Sequence, residues 1–462
     1  MTLTKKISEY KKTMTENIKS KKITFCSIIF IYFLLFWVLP IECYTKSISH
    51  VPNLQKGNAF ILITDLGGMG PSVTISFYDD YGHEVSVINK LLRPKGKLRL
   101  AVGDQLKTSG CIVVESPDDM IFVEYWYINH DKTLSIIPFH AVSGDERYFL
   151  NCFRFPSCQE TYITLSDPNG TGPMIQMEFY AKTGGLTKII RKMLRPRGVL
   201  VLKVSDYIDK NIQSKVSIRS FGGGISVYGI HICNKKSVFI IPNYISSNEL
   251  ILSDFNTDKD YAKDIVINDI SAKGTNVKVS LMDFDGNLVR EIQHSIHPNS
   301  SILIKADEEF GDFGNGYIRM RTGAEISASL WEKNLKLGNH LISEAVPNPS
   351  IENGPNYSDN LLSLSYYVFD NNVEFLFSLL NIGRKSAIVE LDFYNANGGK
   401  IGNKKIILEP DKCILESVNQ FFGKNKLGTI VIKGINSSLV ATSKIFNIDN
   451  GVLLGKTSTT SR

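Results

Sequence analysis

The sequence contains no G-x-S-x-G, no H-E-x-x-H and no C-x-x-C, so no nucleophile elbow, zinc-protease helix or zinc ribbon is written locally. Its glycine clusters, Gly67-Gly68-Met69-Gly70 and Gly222-Gly223-Gly224, run into strand-like residues, whereas a phosphate cradle needs a helix N-terminus behind the glycines. Charge imbalance is also scarce. The net charge is +6, but residues 1–43 hold seven lysines and three glutamates, a net of +4, which leaves +2 for everything that follows. A nucleic-acid binder carries a basic stripe on its folded part, so no nucleic-acid partner is expected. Beyond the N-terminal region no stretch has helical periodicity, which argues against a bundle or an alternating β/α fold.

What the chain does contain is a repeated strand. Val73-Thr-Ile-Ser-Phe77, Ile175-Gln-Met-Glu-Phe179, Val277-Lys-Val-Ser-Leu281 and Val389-Glu-Leu-Asp-Phe393 begin 102, 102 and 112 residues apart. In each the first, third and fifth positions are apolar and the others polar, the period-2 pattern of a strand with one face in a core. A turn closed by glycine follows at Gly82, Gly184, Gly286 and Gly398, where a tight hairpin needs positive φ. The next strand ends at Pro94, Pro196, Pro298 or Pro410, residues that have no N–H to give a ladder. About seven strands per copy, with turn signals every 8 to 12 residues, predict an all-β chain of four tandem antiparallel β-sandwich (Ig-like) domains.

The organisation read from this pattern is a basic cytoplasmic segment over 1–22 and an apolar segment over 23–41, then a linker over 44–57. Repeats follow over 58–145, 146–246, 247–347 and 361–457, with a second linker at 348–360 and a frayed tail at 458–462. The run Ile23 to Leu39 is uncharged, and its basic flank predicts that everything after Pro40 lies outside the cytoplasmic membrane. The expectation is one N-terminal hydrophobic helix, either an uncleaved anchor, which makes the membrane a partner through 23–41, or a cleaved signal. Tandem units that touch only their neighbours further predict an elongated array.

Candidate chemistry is thin. Cys152 and Cys158 flank five residues and are candidate partners in a disulfide, with two separate thiols as the alternative. Asp283-Phe-Asp-Gly-Asn287 resembles the start of a calcium loop, but it is the third copy of a hairpin turn that reads Ala181-Lys-Thr-Gly184 in the second. Asp307, Glu308, Glu309 and Asp312 make the loop 306–312 acidic, either as a solvated loop or as a calcium ligand set. His294 and His297, three apart on a strand, face opposite sides and share no metal. No metal centre and no cofactor is expected. Trp126, between Tyr125 and Tyr127, and Trp331 are candidate ligand-binding residues, because an aromatic platform on a sheet face stacks sugars; the alternative is that they pack. The loops 103–109, 205–213 and 306–315 differ most between copies and are the better candidates for recognition.

The run Glu146-Arg147-Tyr148-Phe149, the strand Tyr162 to Leu165, Phe179-Tyr180, the strand end at Pro196 and the hairpin from Val216 to Ile232 resemble the tandem β-sandwich repeats of bacterial cell-surface and secreted proteins of undetermined function. The resemblance covers the second copy best and the fourth least. It implies display outside the cytoplasmic membrane and transfers no site residues. The functional expectation is a non-catalytic surface, adhesion or scaffold protein with other surface proteins or glycans as partners. The alternatives are a carbohydrate-binding protein and an enzyme with a dispersed site.

Overall fold

The computed structural model describes Tyr44 to Thr460 apart from short internal stretches, among them 142–146, 153–157, 241–246 and 348–359. The expected N-terminal helix lies outside the described residues, as do residues 348–359 of the linker expected at 348–360, whose last residue, Asn360, begins a strand. No helix among the described residues is long and apolar enough to cross a membrane.

The described chain is all-β and antiparallel, in seven sheets. The first copy comprises β1 (Tyr44–His50), β2 (Gly57–Asp65), β3 (Ser72–Asp79), β4 (Glu84–Leu91), β5 (Lys97–Ala101), β6 (Gly110–Ser116), β7 (Ile121–Asn129), β8 (Leu134–Pro138) and β9 (His140–Ala141). The second comprises β10 (Arg147–Cys152), β11 (Cys158–Ser166), β12 (Met174–Ala181), β13 (Leu186–Met193), β14 (Val199–Lys203), β15 (Ser214–Phe221), β16 (Ser226–Cys233) and β17 (Lys236–Ile240). The third has β18 (Ser247–Asn256), β19 (Tyr261–Asp269), β20 (Thr275–Asp283), β21 (Leu288–Ile296), β22 (Ser301–Lys305), β23 (Asn315–Asn334), β24 (His340–Glu344) and β25 (Val346–Pro347). The fourth has β26 (Asn360–Tyr367), β27 (Val373–Asn381), β28 (Ala387–Asn395), β29 (Lys400–Leu408), β30 (Cys413–Ser417), β31 (Leu427–Ile435), β32 (Leu439–Asn447) and β33 (Leu453–Thr460). Tyr44–His50, expected as linker, is therefore a strand: it pairs along its whole length with β6 and fills the place that β10 fills beside β15. Residues 458–460, expected to be frayed, pair with β32.

One strand order recurs. Sheets β4-β3-β6-β1, β13-β12-β15-β10 and β29-β28-β31-β26 match, as do β5-β2-β7-β8, β14-β11-β16-β17 and β30-β27-β32-β33. The third copy repeats both orders, except that the 20-residue β23 pairs first with β18 and β20 and then with β19 and β24, so one strand runs from one layer into the other. This is not the immunoglobulin order. There the first strand lies beside the second and the last beside the sixth; here the first strand (β10) pairs with the sixth (β15), and the seventh (β16) pairs with the second (β11).

The central strands do what their alternation predicts. All twelve apolar positions, from Val73 to Phe393, are fully buried, and each contributes roughly 1.5–3 kcal/mol of burial. Residues from both layers of a copy share each main core: Ile61 and Val123 with Ile75 and Ile112 in the first, Ile163 and Val227 with Met177 and Val216 in the second. Each glycine-closed turn is a three-residue hairpin with a bulge, which shifts the register at Phe77/Tyr78, Phe179/Tyr180, Leu281/Met282 and Phe393/Tyr394. Its glycine has φ of +88, +92, +85 or +80°. The prolines open a second turn, in which the next residue (Lys95, Arg197, Asn299 or Asp411) has φ near +57° (56 to 59°) and the residue after it donates back across the turn.

These two turns dock on each other between copies. Val199 N donates to Asp80 O (3.2 Å), Ser301 N to Lys182 O (3.0 Å), Cys413 N to Phe284 O (2.8 Å) and Lys97 N to Ala396 O (2.9 Å). The second copy thus donates to the first, the third to the second, the fourth to the third and the first to the fourth: the bonds form a closed cycle. The expected elongated array is contradicted, because Tyr44–Arg462 is one compact unit. A Cβ built on Gly82, Gly184 or Gly398 meets the carbonyl oxygen of Pro196, Pro298 or Pro94 at 2.0, 2.1 or 1.9 Å, so these glycines permit the docking as well as the turn.

Candidate functional site at the buried junctions

A buried carboxylate sets the proline turn in place. Asp65, at the end of β2, is 1% exposed and accepts from Gly68 N (2.8 Å), Gly70 N (2.9 Å) and Lys95 N (3.1 Å). Asp269 accepts from Ser271 N, Gly274 N and Asn299 N (3.1, 3.2 and 2.8 Å), and Asp167 from Asn169 N, Gly170 N and Gly172 N (3.1, 3.1 and 2.7 Å). Asn381 stands at this place in the fourth copy, accepting from Gly383 N and donating to Lys385 O and Leu408 O. The sequence reading missed this set, although the 102-residue spacing of Asp65, Asp167 and Asp269 was available to find it.

The two candidate tryptophans are structurally equivalent, since Trp126 lies opposite Phe60 on β2 and Trp331 opposite Asp264 on β19. Each points away from its own core and is covered by another copy. Trp126 is 0% exposed. Its Nε1 donates to Glu124 (3.2 Å), and its ring meets Tyr367 of the fourth copy edge-on at 5.7 Å. Arg99 lies over Phe60 (3.9 Å) and Tyr367 (4.9 Å) beside it. Trp331 is 3% exposed, and its ring centre is 5.0 Å from that of His231 in the second copy. Neither tryptophan presents a face to a ligand, which corrects the expectation of a sugar platform. Their outward faces are used up by junctions.

Two titratable groups are buried where the first and fourth copies meet. Burial pushes the Lys97 amine down to about 7, opposed by the Glu124 carboxylate, and burial pushes Glu124 above the usual carboxylate range, opposed by Lys97. Lys215, at the junction of the second and third copies, donates to Asp269 O at 2.6 Å, and burial lowers it to about 8.

That second junction also holds the disulfide. Cys158 bonds to Cys233, not to Cys152. The reason is topological: Cys152 ends β10, in the sheet with β15, whereas Cys158 and Cys233 lie opposite each other on β11 and β16 in the other sheet. A bulge between Cys158 and Glu160 sits beside the pair. Both cysteines are 1% exposed and pack on Ile342 of the third copy. The two sulfurs and an imidazole nitrogen of His340, on β24, all lie within 4.8 Å of one another. Thr161 Oγ1 and His231 Nδ1 hydrogen-bond at 2.7 Å nearby. Cys111 and Cys413 are buried free thiols, each raised by burial to about 12.

The other sequence candidates resolve as local structure. Asp283 accepts from Asn287 N (2.7 Å) and Nδ2 (2.9 Å), which makes the calcium-like stretch a hairpin turn. The acidic loop begins as a helical turn, Ala306–Phe310, in which Asp307 accepts from Lys263 N and Glu308 pairs with Lys305. The variable loops are less variable than the sequence implied, because Val102–Asp104, Val204–Asp206 and Asn419–Phe422 are helical turns at the same place.

No family model and no curated protein matches the chain. Among solved structures, a Bacteroides uniformis beta-glucuronidase is 11% identical with a TM-score of 0.12, over 46% of this chain and 25% of that one. A putative beta-galactosidase from Bacteroides fragilis is 9% identical with a TM-score of 0.13, over 70% and 33%. Escherichia coli alpha-2-macroglobulin activated by porcine elastase is 10% identical with a TM-score of 0.15, over 90% and 43%. The chain spans about a quarter of the first of these, and scores this low transfer neither a fold nor an activity.

Proposed function

We propose that this chain is a non-catalytic, extracytoplasmic scaffold: four β-sandwich units closed into a rigid ring, delivered or held at the membrane by the apolar segment 23–41. The cycle of backbone bonds among Asp80, Lys182, Phe284 and Ala396 and their partners is the observation that carries this reading. A ring of equivalent junctions spends its sheet faces and aromatic residues on self-assembly, leaving loops and sheet edges for other surface proteins. A glycan-binding reading loses its main support with the burial of Trp126 and Trp331.

Small-angle scattering from a protein beginning at Tyr44 tests the ring. A compact body of this length has a radius of gyration of about 22 Å. A value near that supports the closed scaffold, and a rod-like profile with a much larger radius refutes it.

A further inference from the structure

We propose that Cys158, Cys233 and His340 form a redox-gated zinc site: closed as a disulfide in the oxidised protein, and open to one Zn²⁺ ion when the two thiols are free. Three observations converge on this. The donor set is two sulfurs and one imidazole, the soft and borderline ligands that zinc prefers. It is assembled from three strands of two different copies, β11, β16 and β24, with all three residues buried. The donor atoms are already gathered within 4.8 Å. Zn–S bonds of ~2.3 Å and Zn–N bonds of ~2.0 Å at a tetrahedral angle place ligand atoms about 3.5–4 Å apart. Once reduced, the two sulfurs on the paired strands β11 and β16 must separate, and the imidazole must close in, to reach that spacing.

Charge favours the same ion. Two thiolates and Zn²⁺ sum to zero, and a neutral cluster is the form that a buried site tolerates. Reduction by a dithiol or a phosphine breaks the S–S bond, leaving two Cys thiols and the oxidised reductant. Zinc then forms two Zn–S bonds and one Zn–N bond while the two thiol protons go to solvent, and a solvent molecule completes the tetrahedron. The consequence is structural. The disulfide ties two strands of the second copy together, whereas zinc also ties in β24 of the third. Oxidation of the two thiolates by a small-molecule disulfide, which leaves as two thiols, would re-form the Cys158–Cys233 bond and release the metal and that inter-copy staple together.

The test uses the full-length protein, purified in detergent with and without a phosphine reductant, and zinc or cobalt as the probe. The expected result is one Zn²⁺ per reduced chain and none per oxidised chain. Cobalt should give the reduced chain a sulfur-to-metal charge-transfer band and tetrahedral d–d bands. Cys233→Ser should abolish both signals and His340→Ala should weaken binding at least tenfold, while Cys152→Ser leaves them unchanged. Circular dichroism of each variant separates loss of a ligand from loss of the fold, and His340→Asn serves if His340→Ala does not fold. Equal zinc in oxidised and reduced protein, or undiminished binding in the folded His340 variant, overturns the proposal.

Discussion

The junction between the fourth and first copies and that between the second and third use one backbone device and different side-chain surroundings. Lys97 N to Ala396 O and Ser301 N to Lys182 O are the same bond, 2.9 and 3.0 Å long, and Gly398 and Gly184 meet Pro94 and Pro298 alike. Around the first bond lies an aromatic face, in which Trp126, Leu62 and Ile136 join the main core of the fourth copy. Around the second lie sulfur, two histidines, a buried lysine and the equivalent tryptophan. Turn chemistry therefore sets the position of each copy, and the faces it brings together are free to differ. The junction that closes the ring has no covalent link through the chain, and it sets an aromatic face beside the buried Lys97 and Glu124. The one between consecutive copies has room for polar and redox-active groups.

The largest expected effect breaks the closing junction. Trp126→Ala should cost about 3–5 kcal/mol of stability to urea, the usual penalty for emptying a buried tryptophan site. Trp331→Ala should cost less, because its apolar cluster is small (Val266, Leu303 and Ile342) and its ring also borders His231 and Ser329, whereas Trp126 joins a main core. Equal losses would remove the distinction between the two faces. Next comes the disulfide. Replacing Cys233 by alanine frees a crosslink that spans 75 residues and should cost about 2–4 kcal/mol. A variant as stable as the parent would mean that the β11–β16 pairing is held entirely by its neighbours.

How much of this was legible follows from the range of each signal. The central strands, glycine turns and proline strand ends were readable because period-2 alternation and turn chemistry are local. The strand Tyr44–His50 was not, because Thr45–His50 carries only one large apolar residue, Ile48. Alternation separates Tyr125 and Tyr127, in the core of the first copy, from Trp126 on the other face. It assigns a side chain to a face, however, and cannot say whether that face meets water or another copy. The same limit hid the cycle and the Cys158–Cys233 bond, since both depend on contacts between residues distant in sequence. Cys152 was the near neighbour in sequence, but it lies in the wrong sheet.

A third prediction concerns protons at the closing junction. Lys97 titrates at about 7 in the folded protein against an ordinary 10.5. Its folded pKa is lowered, so between those values the unfolded chain binds the proton that the folded chain has released. Stability should therefore rise with pH in that window, by on the order of 1–2 kcal/mol from pH 7 to 9. Below 7 the cost of burying the ammonium is present in full. Glu124, raised by burial, acts in the opposite sense at lower pH. Lys97→Met should flatten the rise between pH 7 and 9 and, by removing the cation that holds Glu124 down, move the acid limb to higher pH. Lys215→Met should flatten the rise more weakly, since Lys215 keeps a carbonyl acceptor and is lowered only to about 8. Urea midpoints across that range decide the matter, and a wild-type curve already flat from pH 7 to 9 refutes it.

The smallest expected effect sharpens the contrast most. Arg99 is exposed, yet its guanidinium covers Phe60 and Tyr367 at once, across the closing junction. The corresponding residues in the other copies are Val201, Leu303 and Leu415, which carry no cation for such a stack. An exposed cation–π contact is worth about 0.5–1 kcal/mol, and lysine replaces its planar face poorly. Arg99→Lys should thus lower stability by about half of that range, and Arg99→Ala by most of it. A double-mutant cycle with Tyr367→Leu should return the same energy as coupling. Zero coupling would leave Arg99 a bystander at the rim of the closing junction.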